Sequence, residues 1–130
     1  MIDTPTEHAE CIALAKWLDR HGVCYTHVPM GGTDAAAGSR ARAIGAQRGV
    51  PDYLIFDAPP YTNILTTKHG SCSARGVALE MKRRDGTRSR VTKSQEEWLS
   101  KLSHRGWVPL VGYGCKHAIE QLEALGYGDA

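Results

Sequence analysis

Two short segments of the chain hold the residue types that phosphodiester chemistry requires. The segment 49–52 (GVPD) places an aspartate at the start of one apolar run, and the segment 80–82 (EMK) places a glutamate and a lysine in another. Residues two apart on a strand share a face, so Glu80 and Lys82 are expected side by side. If the two runs pair as strands, Asp52 joins them, and two carboxylates and an ammonium converge.

That convergence would suit a divalent metal held against a phosphodiester. Such an ester resists hydrolysis because its anionic oxygens repel a nucleophile and its alkoxide leaves slowly, and a cation offsets both effects. Mg²⁺ and Mn²⁺ prefer carboxylate, carbonyl and water oxygens. Asp52 and Glu80 would supply two carboxylates and the Met81 carbonyl a third oxygen. Lys82 would steady the attacking water or the transition-state charge.

The elements that must position these residues follow from periodicity and capping signals. Helices are predicted from an N-cap at Thr4 to about residue 21, over 39–47, from an N-cap at Thr92 to about 105, and over 116–125; strands are predicted over 23–28, 53–57, 76–84 and 107–113. Pro109 favours an edge position or a bulge for the last strand. The order predicts an α/β domain in which helices flank one small mixed sheet.

Length and composition fit one domain spanning residues 1–130. A chain of 130 residues with 42% hydrophobic and 23% charged residues is ordinary for a soluble protein.

The segment 58–75 is longer than a strand connection needs, and is either an exposed insertion or an extra hairpin around Ile64–Thr67. Two roles are possible for this segment. It is either a flap beside the substrate, carrying Tyr61, Lys68 and Arg75, or a disordered loop. No membrane-spanning run or signal peptide is apparent, so a cytosolic setting is expected.

The basic residues are concentrated although the net charge is only +2. Residues 81–105 carry eight basic side chains against three acidic ones, and a second basic cluster spans 40–48. Such patches suit a polyanion such as DNA, although a solvated charged hairpin explains the charge equally well. The side chains expected to contact phosphates are Arg40, Arg42, Arg48, Arg83, Arg84, Arg88, Arg90 and Lys93.

Each candidate also has a purely structural explanation. Glu80, Lys82 and Arg84 would be the wet face of a half-exposed strand. Asp52 would be a turn residue after proline. Glu7 would be only the capping-box partner of Thr4. The four cysteines and six histidines are dispersed, and this spacing argues against a zinc or redox site.

Five segments in order resemble the VRR-NUC domain, a virus-type replication and repair nuclease branch of the PD-(D/E)XK nuclease superfamily. They are 7–11 (EHAEC), 27–32 (HVPMGG), 49–56 (GVPDYLIF), 79–82 (LEMK) and 92–95 (TKSQ), with a Gly-Trp pair at 106–107. The resemblance extends almost from end to end. Met30 stands where asparagine is usual, and Cys11 where glutamine is usual.

The resemblance implies a metal-dependent DNA endonuclease with a PD-(D/E)XK nuclease-like fold. Asp52 and Glu80 would bind Mg²⁺ or Mn²⁺, and Lys82 would be the catalytic lysine. Glu7 would be a further carboxylate, reaching the metal directly or through water. Gln95 would orient a water or a phosphate. Glu10 lies about 300° around the helix from Glu7, so it does not simply replace it.

The resemblance also implies partners and setting. A homodimer acting on branched, junction or flap DNA in replication, repair or recombination is expected, in a bacterial or phage-infected cytoplasm and without an organic cofactor. The alternative is a non-catalytic nucleic-acid-binding or assembly module on the same fold. The presence of all four candidate side chains, Glu7, Asp52, Glu80 and Lys82, favours the enzyme. Small-molecule chemistry lacks support, since no dinucleotide-binding, phosphate-loop or nucleophile-elbow motif occurs.

Overall fold

The computed structural model describes residues 4–29, 35–61, 64–67, 70–86 and 90–128. Its elements are α1 (Glu7–Arg20), β1 (Tyr25–His27), α2 (Ala35–Ala43), β2 (Tyr53–Ile55), β3 (Ile64–Thr67), β4 (Gly70–Ser73), β5 (Gly76–Lys82), α3 (Lys93–Ser103), β6 (Trp107–Tyr113) and α4 (Cys115–Ala124). This order confirms the predicted α/β class. None of the helices in these ranges combines the length and the apolar character needed to span a membrane.

Four strands form one mixed sheet in the order β1-β2-β5-β6. The pairs β1–β2 and β2–β5 are antiparallel, whereas β6 runs parallel to β5. A parallel pair requires a crossover, and α3 provides it. Strand β5 is therefore covered on both edges, and all seven of its residues are buried. Strand β6 lies at an edge of this sheet, as Pro109 predicted.

The hydrophobic core lies between this sheet and the helices α1 and α4. Leu14 and Leu18 from α1 and Leu122 from α4 are fully buried in one cluster with Val77, Leu79 and Met81 of β5. Burial of each such side chain contributes about 1.5–3 kcal/mol. Because successive side chains of a strand point to opposite faces, this packing also fixes the orientation of Glu80 and Lys82 on the other face of β5.

Two helix boundaries differ from those predicted. Helix α1 begins after Thr6 rather than after Thr4, because Thr6 is extended and its Oγ1 accepts a first-turn N–H at 3.0 Å. Helix α2 lies over 35–43 rather than 39–47, since Gly45 adopts a φ of 107° and its N–H closes the helix end. Strands β1 and β2 are also shorter than predicted, with three residues each.

The segment 58–75 contains the antiparallel hairpin β3–β4. Of the alternatives, the extra hairpin around Ile64–Thr67 is thus confirmed. The Tyr61 N–H donates to the Leu125 carbonyl just after α4, and the Arg75 N–H, just before β5, donates to the Gly106 carbonyl. Both contacts lie away from Asp52, so these two residues do not support a flap beside it.

Candidate active site

The antiparallel pairing of β2 with β5 brings two carboxylates together. Tyr53 pairs with Leu79, so Asp52, one residue before β2, lies opposite Glu80. Asp52 Oδ2 accepts a hydrogen bond from the Met81 N–H at 2.7 Å. The aspartate side chain therefore ties the turn before β2 to the strand that carries Glu80. The expected convergence on facing strands is present, and the role of these residues as metal ligands stays a prediction.

The turn before Asp52 requires glycine at position 49. Gly49 has a φ of 87°, and a Cβ there would lie 2.5 Å from the backbone carbonyl carbon of Ser94 in α3. Glycine tolerates both the left-handed conformation and the close approach. The turn is consequently docked on the first turn of α3, which holds Asp52 near the helix that carries Gln95.

Glu80, Lys82 and Gln95 form a buried polar network. Glu80 and Lys82 are only 2% and 5% exposed. Gln95 Nε2 donates to Glu80 Oε1 at 2.9 Å, and Gln95 Oε1 accepts from Lys82 Nζ at 3.0 Å. Lys82 Nζ lies 3.6 Å from Glu80 Oε1. The alternative explanation of Glu80 and Lys82 as the wet face of a strand is wrong, because the start of α3 covers them.

Gln95 also completes the capping box of α3. Thr92 Oγ1 accepts from the Gln95 N–H at 3.2 Å, and Gln95 Oε1 accepts from the Thr92 N–H at 2.8 Å. The N-cap predicted at Thr92 is confirmed. The same amide thus fixes the helix start and two candidate catalytic side chains, and its contact with a water or a phosphate stays a prediction.

The charge on Glu80 is poorly balanced. Burial and, after it, the charge of Asp52 raise the pKa of Glu80 from 4.5 to about 8, although the charge of Lys82 acts to lower it. The charge of Glu7 acts in the same direction as that of Asp52. Within the described ranges, no hydrogen-bond partner reaches the buried Glu80 Oε2. A buried, unsatisfied carboxylate oxygen beside a second carboxylate is a site that lacks positive charge.

The donor set fits a hard divalent cation. Asp52 and Glu80 offer carboxylate oxygens, which Mg²⁺ and Mn²⁺ prefer. A cation beside Glu80 Oε2 would favour the ionised carboxylate and lower its pKa. Across the part of the chain that the structure describes, no three His, Cys, Asp or Glu side chains gather as a metal cluster. Asp52 and Glu80 would bind the cation together with backbone and water oxygens.

Helix α1 places its two first-turn acids differently. Glu7 is half-buried, and its charge reaches Glu80. The helix is fixed to β2 one turn later, where the Tyr53 hydroxyl donates to the Cys11 carbonyl at 3.1 Å. Glu10 is buried but lies apart from the two facing carboxylates, in a bidentate ion pair with an arginine. Of the two acids, Glu7 is thus the one in electrostatic range of the site.

Arg84 is the partner of Glu10. Its Nε and Nη2 donate to the two carboxylate oxygens of Glu10 at 3.0 and 2.9 Å. The side chain of Arg84 remains 53% exposed. The residue predicted to contact DNA therefore also has a structural role, because it neutralises a buried acid.

The other predicted DNA-contacting residues lie in several places. Exposed positions on or just after α2 and at the start of α3 carry Arg40, Arg42, Arg48, Arg90 and Lys93. Arg83 lies 3.8 Å from the carboxylate of Asp85. Arg88, Met30 and Lys68 lie outside the described residues. The basic residues near α2 and α3 are therefore available to an external polyanion.

A groove of about 410 Å³ lies between the α2 region and α3. The sequence did not predict it. Arg42, Arg48 and Lys101 line it together with Trp98. Lys101 Nζ lies 5.1 Å from the centre of the Trp98 ring, a cation–π contact. Trp98, on α3, is only partly buried. The groove extends the basic surface along α3.

The fold matches that of a solved protein. A structure described as a VRR_NUC domain protein superposes with a TM-score of 0.70 and 18% sequence identity, covering 96% of this chain and 91% of that one. No family model and no curated protein matches the sequence. The likeness confirms at the level of the fold the resemblance that the five segments predicted.

Proposed function

We propose that this protein is a metal-dependent nuclease that hydrolyses phosphodiester bonds in DNA. The observation that carries the proposal is the facing of Asp52 and Glu80, with an unsatisfied buried oxygen on Glu80 and the buried Lys82 next to it. The likeness to a VRR_NUC domain protein supports the nuclease class. The exposed arginines around the site support a polyanionic substrate.

Asp52 and Glu80 would hold Mg²⁺ or Mn²⁺, with the Met81 carbonyl as a third oxygen and Glu7 as an outer carboxylate. When bound, the cation would neutralise phosphate charge and increase the acidity of a water. Asp52 Oδ2 also accepts a hydrogen bond from the Met81 N–H, which fixes the position of this carboxylate oxygen. The ligand pair would therefore be oriented before the substrate arrives.

Lys82 would stabilise the attacking water or the negative charge that develops on the phosphate. Its ammonium is already desolvated and is oriented by Gln95 Oε1 at 3.0 Å. A preorganised cation in a buried site stabilises developing charge without reorganising solvent. Gln95 would act as a positioning residue, since its side-chain amide is hydrogen-bonded to both Lys82 and Glu80.

The substrate would be branched, junction or flap DNA. Exposed Arg40, Arg42 and Arg48 would contact phosphates, so binding would weaken steeply with salt. The described residues of each chain provide the facing pair Asp52 and Glu80, and a homodimer would place two such pairs on a branched duplex. Recognition of backbone geometry rather than of base edges suits residues of this kind.

Cleavage and binding assays with the same DNA substrates test the proposal. Wild type should cut supercoiled, flapped or four-way DNA with Mg²⁺ or Mn²⁺. Glu80→Ala and Lys82→Ala should abolish cutting but retain DNA binding in Ca²⁺, whereas the exposed Glu123→Ala should behave as wild type. If wild type cuts none of these DNAs with either metal, the proposal is wrong. Binding without cutting would assign the non-catalytic module instead.

A further inference from the structure

An aromatic pair lies next to the proposed active site. Tyr113 ends β6, and its ring stacks on that of His117 in α4, with centroids 5.9 Å apart and planes inclined by 28°. The Tyr113 N–H donates to His117 Nδ1 at 2.9 Å, which fixes the imidazole. Tyr113 is nevertheless 38% exposed. The pair is therefore a fixed aromatic surface that is open to a ligand.

The pair lies at the same end of the sheet as the candidate catalytic residues. Tyr113 is the register partner of Lys82 in the parallel pairing of β5 with β6. The next residue, Gly114, donates its N–H to the Lys82 carbonyl at 2.9 Å. Neighbouring strands lie about 4.8 Å apart. The Tyr113 backbone is thus one strand spacing from that of the candidate catalytic lysine.

A groove of about 240 Å³ adjoins the two rings. It is lined by Arg84, Tyr113, Gly114, Lys116, His117 and Glu120. Two cationic side chains therefore face it against one carboxylate. The volume is below the roughly 300–1,000 Å³ of pockets for drug-sized ligands. A single base with its phosphate fits this size and charge, and a duplex does not.

The positive charge of this groove comes from side chains rather than from the start of α4. The Cys115 N–H at the helix start is hydrogen-bonded to Glu10, which also pairs with Arg84. Lys116, in contrast, is exposed beside the rings. A phosphate would consequently meet Lys116 and the exposed part of Arg84, and the base would meet Tyr113.

We propose that Tyr113 and His117 stack the base of one unpaired nucleotide next to the phosphate that is cut. This inference rests on the proposed nuclease function and adds a substrate requirement, an unpaired nucleotide at the cut as in a flap or a branch. A base within a duplex must first be unstacked, at a cost of a few kcal/mol. An unpaired base avoids that cost, so the aromatic pair favours branched over continuous DNA.

Tyr113→Ala tests the proposal, with Tyr113→Phe as the variant that keeps the ring. Tyr61→Ala is the matched control, because the Tyr61 side chain is 64% exposed, and only its backbone N–H donates to the Leu125 carbonyl, at the other end of α4. The DNAs are a flapped duplex with 2-aminopurine as its first unpaired base, and a continuous duplex of equal length. Binding is measured in Ca²⁺, and stacking is read as fluorescence quenching.

Wild type should bind the flapped DNA more tightly than the duplex and quench its fluorescence. Stacking on an aromatic side chain is worth about 1–3 kcal/mol, so Tyr113→Ala should bind the flap at least about fivefold more weakly and lose the quenching. Its affinity for the duplex should stay within about twofold. Tyr113→Phe and Tyr61→Ala should match wild type. His117→Ala, at an exposed helix position, provides a second variant and should lose part of the quenching.

Unchanged flap affinity in Tyr113→Ala, or an equal loss on both DNAs, would overturn the stacking proposal. Cutting in Mg²⁺ by the same proteins tests the nuclease separately. If wild type cuts the flap and Tyr113→Ala binds and cuts it equally well, the nuclease stands and the stacking role is wrong. If wild type binds and quenches but does not cut, the nuclease is wrong. A wild type that binds neither DNA contradicts both.

Discussion

Glu10 and Glu80 are equally buried carboxylates, each 2% exposed, but their surroundings act in opposite directions. Arg84 and the Cys115 N–H lower the pKa of Glu10. Burial and the charge of Asp52 raise that of Glu80 to about 8, although Lys82 lies close. Glu10 is thus satisfied by its neighbours and joins α1 to α4. Glu80 is not, so unbalanced burial, rather than burial itself, distinguishes the candidate functional acid.

The largest expected contrast is in activity. Glu80→Gln should lower kcat/KM for DNA cleavage by at least about 10³-fold, or about 4 kcal/mol, because a charged metal ligand is lost. Glu10→Gln should stay within about threefold of wild type when folded. Initial rates in Mg²⁺ measure both. If both variants are folded and lose kcat/KM equally, the different surroundings of Glu10 and Glu80 have no bearing on function.

Thermal stability should show the opposite contrast between the two sites, with the loss now in Glu10→Gln. Glu10→Gln should lower the free energy of unfolding by about 1–3 kcal/mol, since Arg84 and Cys115 lose a charged hydrogen-bond partner. The melting temperature should fall by roughly 5–10 °C. Glu123→Gln, at an exposed position of the same helix α4, should change it little. A melting temperature equal to that of wild type would contradict the structural role of Glu10.

The pH dependence of stability sharpens the comparison further. The folded pKa of Glu80 is raised from 4.5 to about 8, so its contribution to stability is complete below about pH 4.5 and is lost as the pH rises through 8. Without metal, wild type should therefore lose stability relative to Glu80→Gln, by at most about 1.4 kcal/mol per pH unit. Urea unfolding in EDTA between pH 5 and 9 measures this. Parallel curves for the two proteins would contradict the assignment.

Glu10 should produce the opposite trend at low pH. Its folded pKa is lowered, so the stability it contributes is present above about pH 4.5 and is lost as the pH falls through the folded value. The destabilisation caused by Glu10→Gln should accordingly shrink in acid. Urea unfolding of wild type and Glu10→Gln at pH 3 and pH 6 tests this, and a constant difference would contradict it.

The smallest expected effect concerns Gln95. Gln95→Ala should reduce kcat by about tenfold with little change in KM, because Lys82 and Glu80 lose the amide that orients them. Thr92→Ala is the matched control, since it breaks the capping box and costs about 1 kcal/mol of stability but leaves the network. Steady-state kinetics and melting curves separate the two. Equal kcat values for both variants would reduce Gln95 to a helix cap.

Local signals predicted much of the fold. The alternation of β5 and the turn before Asp52 placed both carboxylates on facing strands, and the Thr92–Gln95 spacing placed the start of α3. The same signals left helix ends ambiguous, because Thr4 and Thr6 are both suitable caps. Alternation also shows which residues share a face without showing what covers it. The burial of Glu80 therefore depended on α3, which lies later in the chain.

Long-range contacts left no local pattern in the sequence. Glu10 and Arg84 are 74 positions apart, and no spacing rule connects them. Tyr113 was visible only as the end of an apolar strand. Its proximity to Lys82 follows from the parallel register of β5 with β6. Pairing across the sheet, rather than periodicity along it, thus decides which side chains surround the site.

Calorimetric titration of Mn²⁺ tests the central claim, that Asp52 and Glu80 form a site for a divalent cation. Wild type and Glu10→Gln should bind Mn²⁺ with similar affinity at pH 7.5. Asp52→Asn and Glu80→Gln should bind it at least about tenfold more weakly, because each replaces a charged ligand with a neutral one. Mn²⁺ affinity in Glu80→Gln equal to that of wild type would contradict the account.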